Sequence, residues 1–378
     1  MKRRIWIVAG EVSGDARAAE LIRAMHALDP EVEFVGAGGP KMRPHATEPF
    51  DDWIAEAGVV GLWDVLRHYG YFRSKFERML ADIARLKPDA VLLVDYPGFN
   101  LRLAKALRAR MPGLRIFYYV SPQVWAWNRG RIPKMAKMLD LMLCIFPFEK
   151  ELYEKSGLRT EFVGHPIVEQ MNLDRVPVQR DPLLLGLFPG SREREVKRIF
   201  PAMVEAARIV AKSRPDIRFE AAASSEVHAA TMRSMAGDVP IEVRMGTAHE
   251  LMQRAATGIV CSGTATLEAA CFGLPYALVY KTAWLTFEVG KRLVKIQHLG
   301  IINILAGRTV VREFIQDAAS PAALADEALR LLNDPAAAAR LSAELSAVVA
   351  TLHGEGASGR AARVVLDALD RNGSLAVE

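Results

Sequence analysis

From Gly258 to Cys261 the chain is apolar, at Ser262-Gly263-Thr264 it turns on three small residues, and from Ala265 to Phe272 it is an uninterrupted helix-forming run closed by Gly273-Leu274-Pro275. A strand that hands over to a helix through so short a turn belongs to an α/β sheet, with the turn at the carboxyl end of the strand. The first N–H groups of that helix have no partner within it. Together with the positive end of the helix dipole they make a ready site for phosphate. Glu268 follows about one turn into the helix. On the rim of the site its carboxylate would repel phosphate but accept hydrogen bonds from a sugar diol, which suggests a nucleotide-sugar pocket. A capped helix in an ordinary α/β domain explains the turn equally well and leaves Glu268 without a role.

The 378 residues suggest two domains, each large enough for its own core. Half of the composition is hydrophobic and a quarter charged, as in soluble globular chains. No run approaches the roughly 18 to 20 apolar residues of a membrane span, and Met1-Lys2-Arg3-Arg4 leads straight into a strand, so a cytoplasmic location is expected. Cys144, Cys261 and Cys271 lie in apolar runs, form no C-x-x-C and read as small core residues of a reducing compartment. A net charge of +5 fits an anionic partner without choosing among nucleotide, phospholipid and nucleic acid.

In order along the chain, Ile5 to Ala9 reads as a buried strand followed by the loop Gly10 to Asp15, which holds Glu11, Ser13 and Asp15. A second unit ends in Gly36 to Met42, and neither loop fits G-x-G-x-x-G well. Between Leu62 and Leu86 a stripe through Leu66, Tyr69, Phe72, Phe76 and Met79 has helical spacing, with Arg67, Arg73, Lys75 and Arg78 beside it. Such a helix suits an anionic membrane surface or an acyl-chain groove; a core-facing helix with a solvated basic face has the same pattern. Ala90 to Val94 is apolar on both faces, hence a central parallel strand, and it delivers Asp95 to the sheet's carboxyl edge. There Asp95 is a candidate general base or a helix N-cap. Ile116 to Val120 ends in a loop carrying Trp125 and Trp127, which suit stacking on a sugar, covering an acyl chain, or packing on the sheet. The weakly patterned stretch Ile167 to Asp181 marks the domain boundary. Beyond it, Gly190-Ser191-Arg192 opens a helix and offers backbone donors plus a cation, as a diphosphate requires.

Taken in order, the motifs are GEVSGD at 10–15, GAGGPKM at 36–42, DYPGFN at 95–100, YVSPQVWAW at 119–127, PFE at 147–149, FVGHP at 162–166, PGSR at 189–192, SGTATLE at 262–268 and NILAGR at 303–308. The set resembles lipid-A-disaccharide synthase, glycosyltransferase family 19, from about Ile5 to Gln316. The combination is specific although most single motifs are not. The resemblance implies an α/β fold of the GT-B type, two Rossmann-like domains facing a central cleft. The expected organisation is an acceptor and membrane-facing domain over 1–166, a UDP-sugar domain over 167–345, and a helical tail over 346–378 that packs back on the first domain or is swapped in a homodimer.

It also implies an inverting transfer of 2,3-diacylglucosamine from UDP to the 6-hydroxyl of 2,3-diacylglucosamine 1-phosphate, at the cytoplasmic surface of the inner membrane and with no nucleic-acid partner. Asp95 matches the family's essential aspartate and would be the base. Arg192 and Ser262, Gly263 and Thr264 would hold the diphosphate, Glu268 the ribose, and Asn303 and Gln316 would lie near the donor. Glu11, Ser13, Asp15, Trp125, Trp127, Leu66, Tyr69 and Phe72 would face the acceptor and its lipid. No D-x-D is present, so neither a metal nor another cofactor is expected. Ile302 and Lys281 depart from the family's proline and arginine, which bears on the shape of the donor pocket and the acyl-chain preference rather than on the reaction. The rival readings are another GT-B enzyme of UDP-amino-sugar metabolism, of the lipid II-forming or epimerase type, and a non-catalytic membrane-bound scaffold.

Overall fold

Short apolar runs punctuated by glycine and proline become strands, and the computed structural model, which describes residues 3–54, 69–283, 287–288, 297–354 and 356–370, sorts them into two parallel sheets. The first contains β1 (Arg4–Ala9), β2 (Glu33–Gly38), β3 (Phe50–Asp52), β4 (Ala90–Val94), β5 (Arg115–Tyr119), β6 (Leu141–Cys144) and β7 (Thr160–Phe162) in the order β3-β2-β1-β4-β5-β6-β7. The second contains β8 (Asp181–Phe188), β9 (Arg218–Ala223), β10 (Ile241–Met245), β11 (Ala255–Cys261), β12 (Tyr276–Tyr280) and β13 (Glu313–Ile315) in the order β10-β9-β8-β11-β12-β13.

Each sheet reverses its strand order once, between β1 and β4 in the first and between β8 and β11 in the second. At such a point the two following helices leave on opposite faces and open a crevice outside the carboxyl ends of the strands. Register carries specific loops there. Pairing of Ala9 with Val94 brings the Gly10 loop beside Asp95, and pairing of Val260 with Phe188 brings the Ser262 turn beside the Gly190 loop.

Helices α1 (Val12–Leu28), α2 (Tyr69–Leu86), α3 (Pro97–Arg110), α4 (Val124–Trp127), α5 (Ile132–Ala136), α6 (Pro147–Glu154) and α7 (Pro166–Leu173) follow strands of the first sheet. With the second come α8 (Glu193–Ser213), α9 (Glu226–Ala236), α10 (Ala248–Arg254), α11 (Thr264–Cys271), α12 (Ile301–Ala306), α13 (Pro321–Asn333) and α14 (Pro335–Ala350), and α15 (Ala357–Asp370) closes the described chain. β4 is buried at every position, as its continuous apolar run requires. Among the described residues no helix is long and apolar enough to cross a membrane.

Of the helical stripe expected from Leu62, the structure describes the part from Tyr69 onward, and Leu66 and the side chain of Tyr69 lie outside the described residues. The remainder faces inward. Met79, Leu80 and Ile83 are buried, Phe72 and Phe76 pack against that core, and Phe72 meets Trp53 edge-on at 6.3 Å. The expectation that Phe72 presents itself to lipid is therefore corrected: its ring completes an aromatic cluster under the sheet. Lys75 is likewise engaged, its Nζ 2.5 Å from Asp51 Oδ2.

The chain divides into two compact units, Met1–Pro166 with Gly354–Glu378, and Ile167–His353. The tail expected from residue 346 thus parts at 353/354: α14 stays with the second unit, and α15 packs on α1 in the first. Small side chains at Ala361 and Ala362 are fully buried there, letting the helix lie close. Arg3 Nη1 contacts Asp370 Oδ1 at 2.5 Å, Arg115 donates to the Leu369 carbonyl at 2.7 Å, and Arg360 donates to the Val163 carbonyl at 3.0 Å.

Candidate active site

The first unit places Asp95 at the reversal point. Asp95 and Tyr96 both take left-handed backbone angles, φ 50° and 49°, an unusual conformation for two successive non-glycine residues. Hydrogen bonds hold it. The Asp95 N–H donates to the Tyr119 carbonyl at 2.9 Å, and the Asp95 carbonyl accepts from Tyr118 Oη at 2.5 Å and Asn100 Nδ2 at 2.8 Å. Gly10 is required opposite, since a Cβ there would fall 2.2 Å from the Tyr96 ring. Arg17 Nη1 lies 3.5 Å from Asp95 Oδ2. Burial raises the Asp95 carboxyl above the usual carboxylate range, against the opposing pull of Arg17 and the Tyr96 backbone. His165 is buried and neutral, its imidazole pushed down to about 3 by burial and by the Arg17 charge.

Other expected residues of this unit have different tasks. Asp15 is 2% exposed, and its carboxylate accepts from the N–H groups of Gly39 at 2.9 Å, Lys41 at 3.0 Å and Met42 at 3.1 Å. It ties the two glycine loops together, which corrects its assignment to the acceptor. Glu11 and Ser13 are exposed at the start of α1. Trp125 is buried, with Nε1 donating to Glu149 Oε1 at 2.8 Å and its ring edge-on to Phe148 at 4.9 Å, so it does not offer an exposed face to a sugar or an acyl chain. Trp127 is 47% exposed, with the Arg131 guanidinium 5.0 Å above its ring. Glu149 is fully buried and also accepts from the Phe146 N–H at 3.2 Å. Its carboxyl is pushed up to about 7 by burial, although Trp125 and the Phe146 N–H hydrogen-bond to the ionised form.

In the second unit a pocket of about 420 Å³ opens at the β8–β11 reversal. Arg192, Ser262, Gly263, Thr264 and Glu268 all line it, together with Ser191, Ser224 and His249. Gly263 turns at φ 141° just before α11, and Thr266 Oγ1 returns to its carbonyl at 2.7 Å. The Ser262 N–H is committed to the Val279 carbonyl at 2.8 Å, so the anion donors of this turn are those that begin α11 at Thr264 and Ala265. Gly190, at φ 104°, leaves room for Glu195, whose Oε2 caps the Arg192 N–H at 3.3 Å while Oε1 pairs with the Arg192 guanidinium at 3.0 Å. That guanidinium is 83% exposed and therefore available to a ligand.

His249 joins the pocket to its surroundings. Its Nδ1 is 2.9 Å from Asp174 Oδ2 and its Nε2 is 3.6 Å from Glu268 Oε2, the second an ion-pair rather than a hydrogen-bond distance. The Glu268 and Asp174 carboxylates raise its pKa, against the opposing effect of burial. A single histidine in a seven-residue helix carries no sequence motif, and neither it nor Arg17 stands in any motif quoted above, whereas Glu149 closes the PFE motif at 147–149 without a role assigned to it.

Asn303 and Gln316 do not line the pocket. Asn303 is 1% exposed and saturated: Nδ2 donates to the Val311 carbonyl at 2.8 Å and Glu313 Oε1 at 2.7 Å, while Oδ1 accepts from the N–H groups of Val310 and Val311. Gln316 exchanges two hydrogen bonds with the backbone of Thr282, at 2.8 and 3.2 Å. Both are loop clamps rather than open donors to a ligand.

A family model described as lipid-A-disaccharide synthetase matches residues 5–366. The lipid-A-disaccharide synthase of Trichlorobacter lovleyi is 40% identical, covering 98% of this chain and 98% of its own. Among solved structures, the UDP-GlcNAc 2-epimerase of Neisseria meningitidis bound to UDP-GlcNAc superposes with a TM-score of 0.61 at 11% identity, covering 97% of this chain and 100% of that one. The glycosyltransferase of kitacinnamycin gives 0.59 at 16% identity, with 96% and 98% covered. At such identities these two structures speak to the fold, a pair of Rossmann-like domains.

Proposed function

The chain belongs to the lipid-A-disaccharide synthase family and is a glycosyltransferase of lipid A biosynthesis, and from that premise we propose that it moves 2,3-diacylglucosamine from UDP to the 6-hydroxyl of 2,3-diacylglucosamine 1-phosphate with inversion. Asp95 takes the proton of the 6-hydroxyl as that oxygen attacks the anomeric carbon. The bond from that carbon to the UDP oxygen breaks, and the pair of electrons leaves with the diphosphate. Arg17 favours the ionised form of Asp95, which must be a carboxylate to serve as base. Arg192 and the amino end of α11 stabilise the departing charge, and Glu268 accepts the ribose hydroxyls.

The observation that carries this reading is the meeting of Arg192, the Ser262-Gly263-Thr264 turn and Glu268 around one pocket, a cation, a helix start and a carboxylate suited to the three parts of a nucleoside diphosphate. The first unit then serves the acceptor. Two diacylated substrates have to be drawn from a bilayer, and the exposed Trp127 with Arg131 beside it supports a peripheral position at the cytoplasmic face of the inner membrane. Exchange of C-terminal segments in a homodimer follows from the family resemblance and belongs to the same reading. Incubation with both substrates and mass detection of the disaccharide 1-phosphate tests it. Formation of product that disappears in Asp95→Asn supports the proposal; release of a free amino sugar without coupling would remove it.

A further inference from the structure

The nucleotide pocket has one titratable wall whose charge is set from outside. Gln253 fixes that arrangement: its Nε2 donates to the Asp174 carbonyl at 3.0 Å and to the His249 carbonyl at 3.1 Å, and its Oε1 accepts from the Val176 N–H at 2.9 Å. The strand of chain holding Asp174 is thereby fastened to α10, and Asp174 can serve only one nitrogen of His249. An ionised carboxylate 2.9 Å from Nδ1 requires a proton on that nitrogen, which assigns the tautomer. In the neutral ring Nε2 then carries a lone pair directed at the anionic oxygen of Glu268. In the imidazolium it carries an N–H. The sign of the contact with Glu268 therefore inverts with a single proton.

Other charges around the ring do not duplicate this effect. On α10 itself, Glu250 and Arg254 pair with each other at 3.0 Å, and Arg254 also binds the buried Glu220 of β9. Arg175 stands 5.8 Å from the centre of the Phe272 ring, on which His249 also packs, and donates to the Cys271 carbonyl. What faces the two ring nitrogens is Asp174 on one side and Glu268 on the other.

We infer that His249 is a positioning residue for nucleotide binding: as an imidazolium anchored by Asp174 it holds one oxygen of Glu268 and leaves the other for the ribose diol, and as a neutral ring it releases Glu268. The inference rests on the assignment of this pocket to the nucleotide. It predicts that affinity for the nucleotide is highest while His249 is protonated and falls as pH rises through a value above that of an ordinary histidine.

Calorimetric titration with UDP between pH 6 and pH 9 tests it. The native protein should bind about tenfold more weakly at the alkaline end. His249→Gln should bind with nearly the same affinity across the range. Asp174→Asn, which removes the anion at Nδ1, should keep the pH dependence but shift its midpoint to lower pH, a displacement that a merely structural contact would not produce. With the donor sugar nucleotide as substrate, KM should carry the pH limb and kcat should not. If UDP binds, Glu268→Gln weakens it, and His249→Gln retains the native pH dependence, the inference fails while the pocket stands. If Glu268→Gln leaves UDP affinity unchanged, the nucleotide assignment itself has failed.

Discussion

Arg17 Nη1 lies 3.5 Å from Asp95 Oδ2, the one on the first helix and the other at the end of the strand that pairs with β1. The pair resolves a conflict. A base is stronger when its carboxyl is raised by burial, yet it must be ionised to act, and a guanidinium at that distance offsets part of the desolvation without forming a close bidentate bond.

Asp95→Asn is expected to fold, bind UDP and lose about 10² to 10⁴ in turnover. Because the carboxyl is raised in the folded state, its contribution to stability is greatest below the unfolded value and is lost as pH rises through the folded one. The amide should therefore leave the melting temperature at neutral pH unchanged or higher. A variant keeping more than half its turnover would remove Asp95 from the role.

Arg17→Gln withdraws the offsetting charge, so the Asp95 carboxyl should rise further. In the native enzyme kcat/KM should fall as acid protonates Asp95, and in the variant that limb should move to higher pH. An unmoved limb would show that Arg17 does not tune the base.

Arg192→Ala should weaken UDP binding by roughly 1.5–3 kcal/mol, the range for a hydrogen bond to a charged partner. The native Arg192 pairs with Glu195 at 3.0 Å and is 83% exposed, so folding stability should hardly change. Equal UDP affinity by calorimetry would place the diphosphate elsewhere.

Asn303→Ala should be a stability variant. It strands the Val310 and Val311 N–H groups and the Val311 carbonyl, at a cost of about 2–4 kcal/mol in chemical denaturation. UDP affinity of the folded protein should stay within about twofold of native. A large loss of affinity with native stability would return Asn303 to the donor site.

Glu149→Gln should change how stability depends on pH. The native carboxyl is pushed up to about 7 by burial, so the folded state is best stabilised below about 4.5 and loses that advantage as pH rises toward 7. The glutamine keeps an acceptor for Trp125 and cannot ionise, so its melting temperature should fall less between pH 5 and pH 8. A parallel decline in both proteins would mean that the native carboxyl ionises at an ordinary value.

Much of the sheet was legible because strands buried on both faces need continuous apolar runs, as at Ala90–Val94, and because turns at their carboxyl ends need glycine or small residues, as at Gly190 and Gly263. Those rules also brought Asp95, Arg192 and Glu268 to carboxyl edges. Legibility stopped where a polar side chain could serve either a ligand or the backbone. Asp15 reaches loop residues 24 to 27 positions away, and Asn303 reaches a turn 7 or 8 positions on, and no local pattern tells such a clamp from a binding group. Phe72 and Trp125 were misplaced for a related reason: an aromatic stripe or pair has the same spacing whether it faces lipid or core. Glu195 reaching back to the Arg192 N–H, three residues earlier, is half of a capping box, and its partner Arg192 has no acceptor to complete the other half.

The contact of Arg3 with Asp370, and of α1 with α15, sets an order on synthesis. A ribosome delivers the first 166 residues, then the whole second unit, and only afterwards the helix that covers α1. The nascent first unit must wait with that flank open while its neighbour, encoded in one continuous stretch, is free to finish first. Joining residues near 3 and 370 by a short linker and reopening the chain at 353/354 would make the first unit contiguous as well, and the permuted protein should emerge with one of its two units able to close before the other is made.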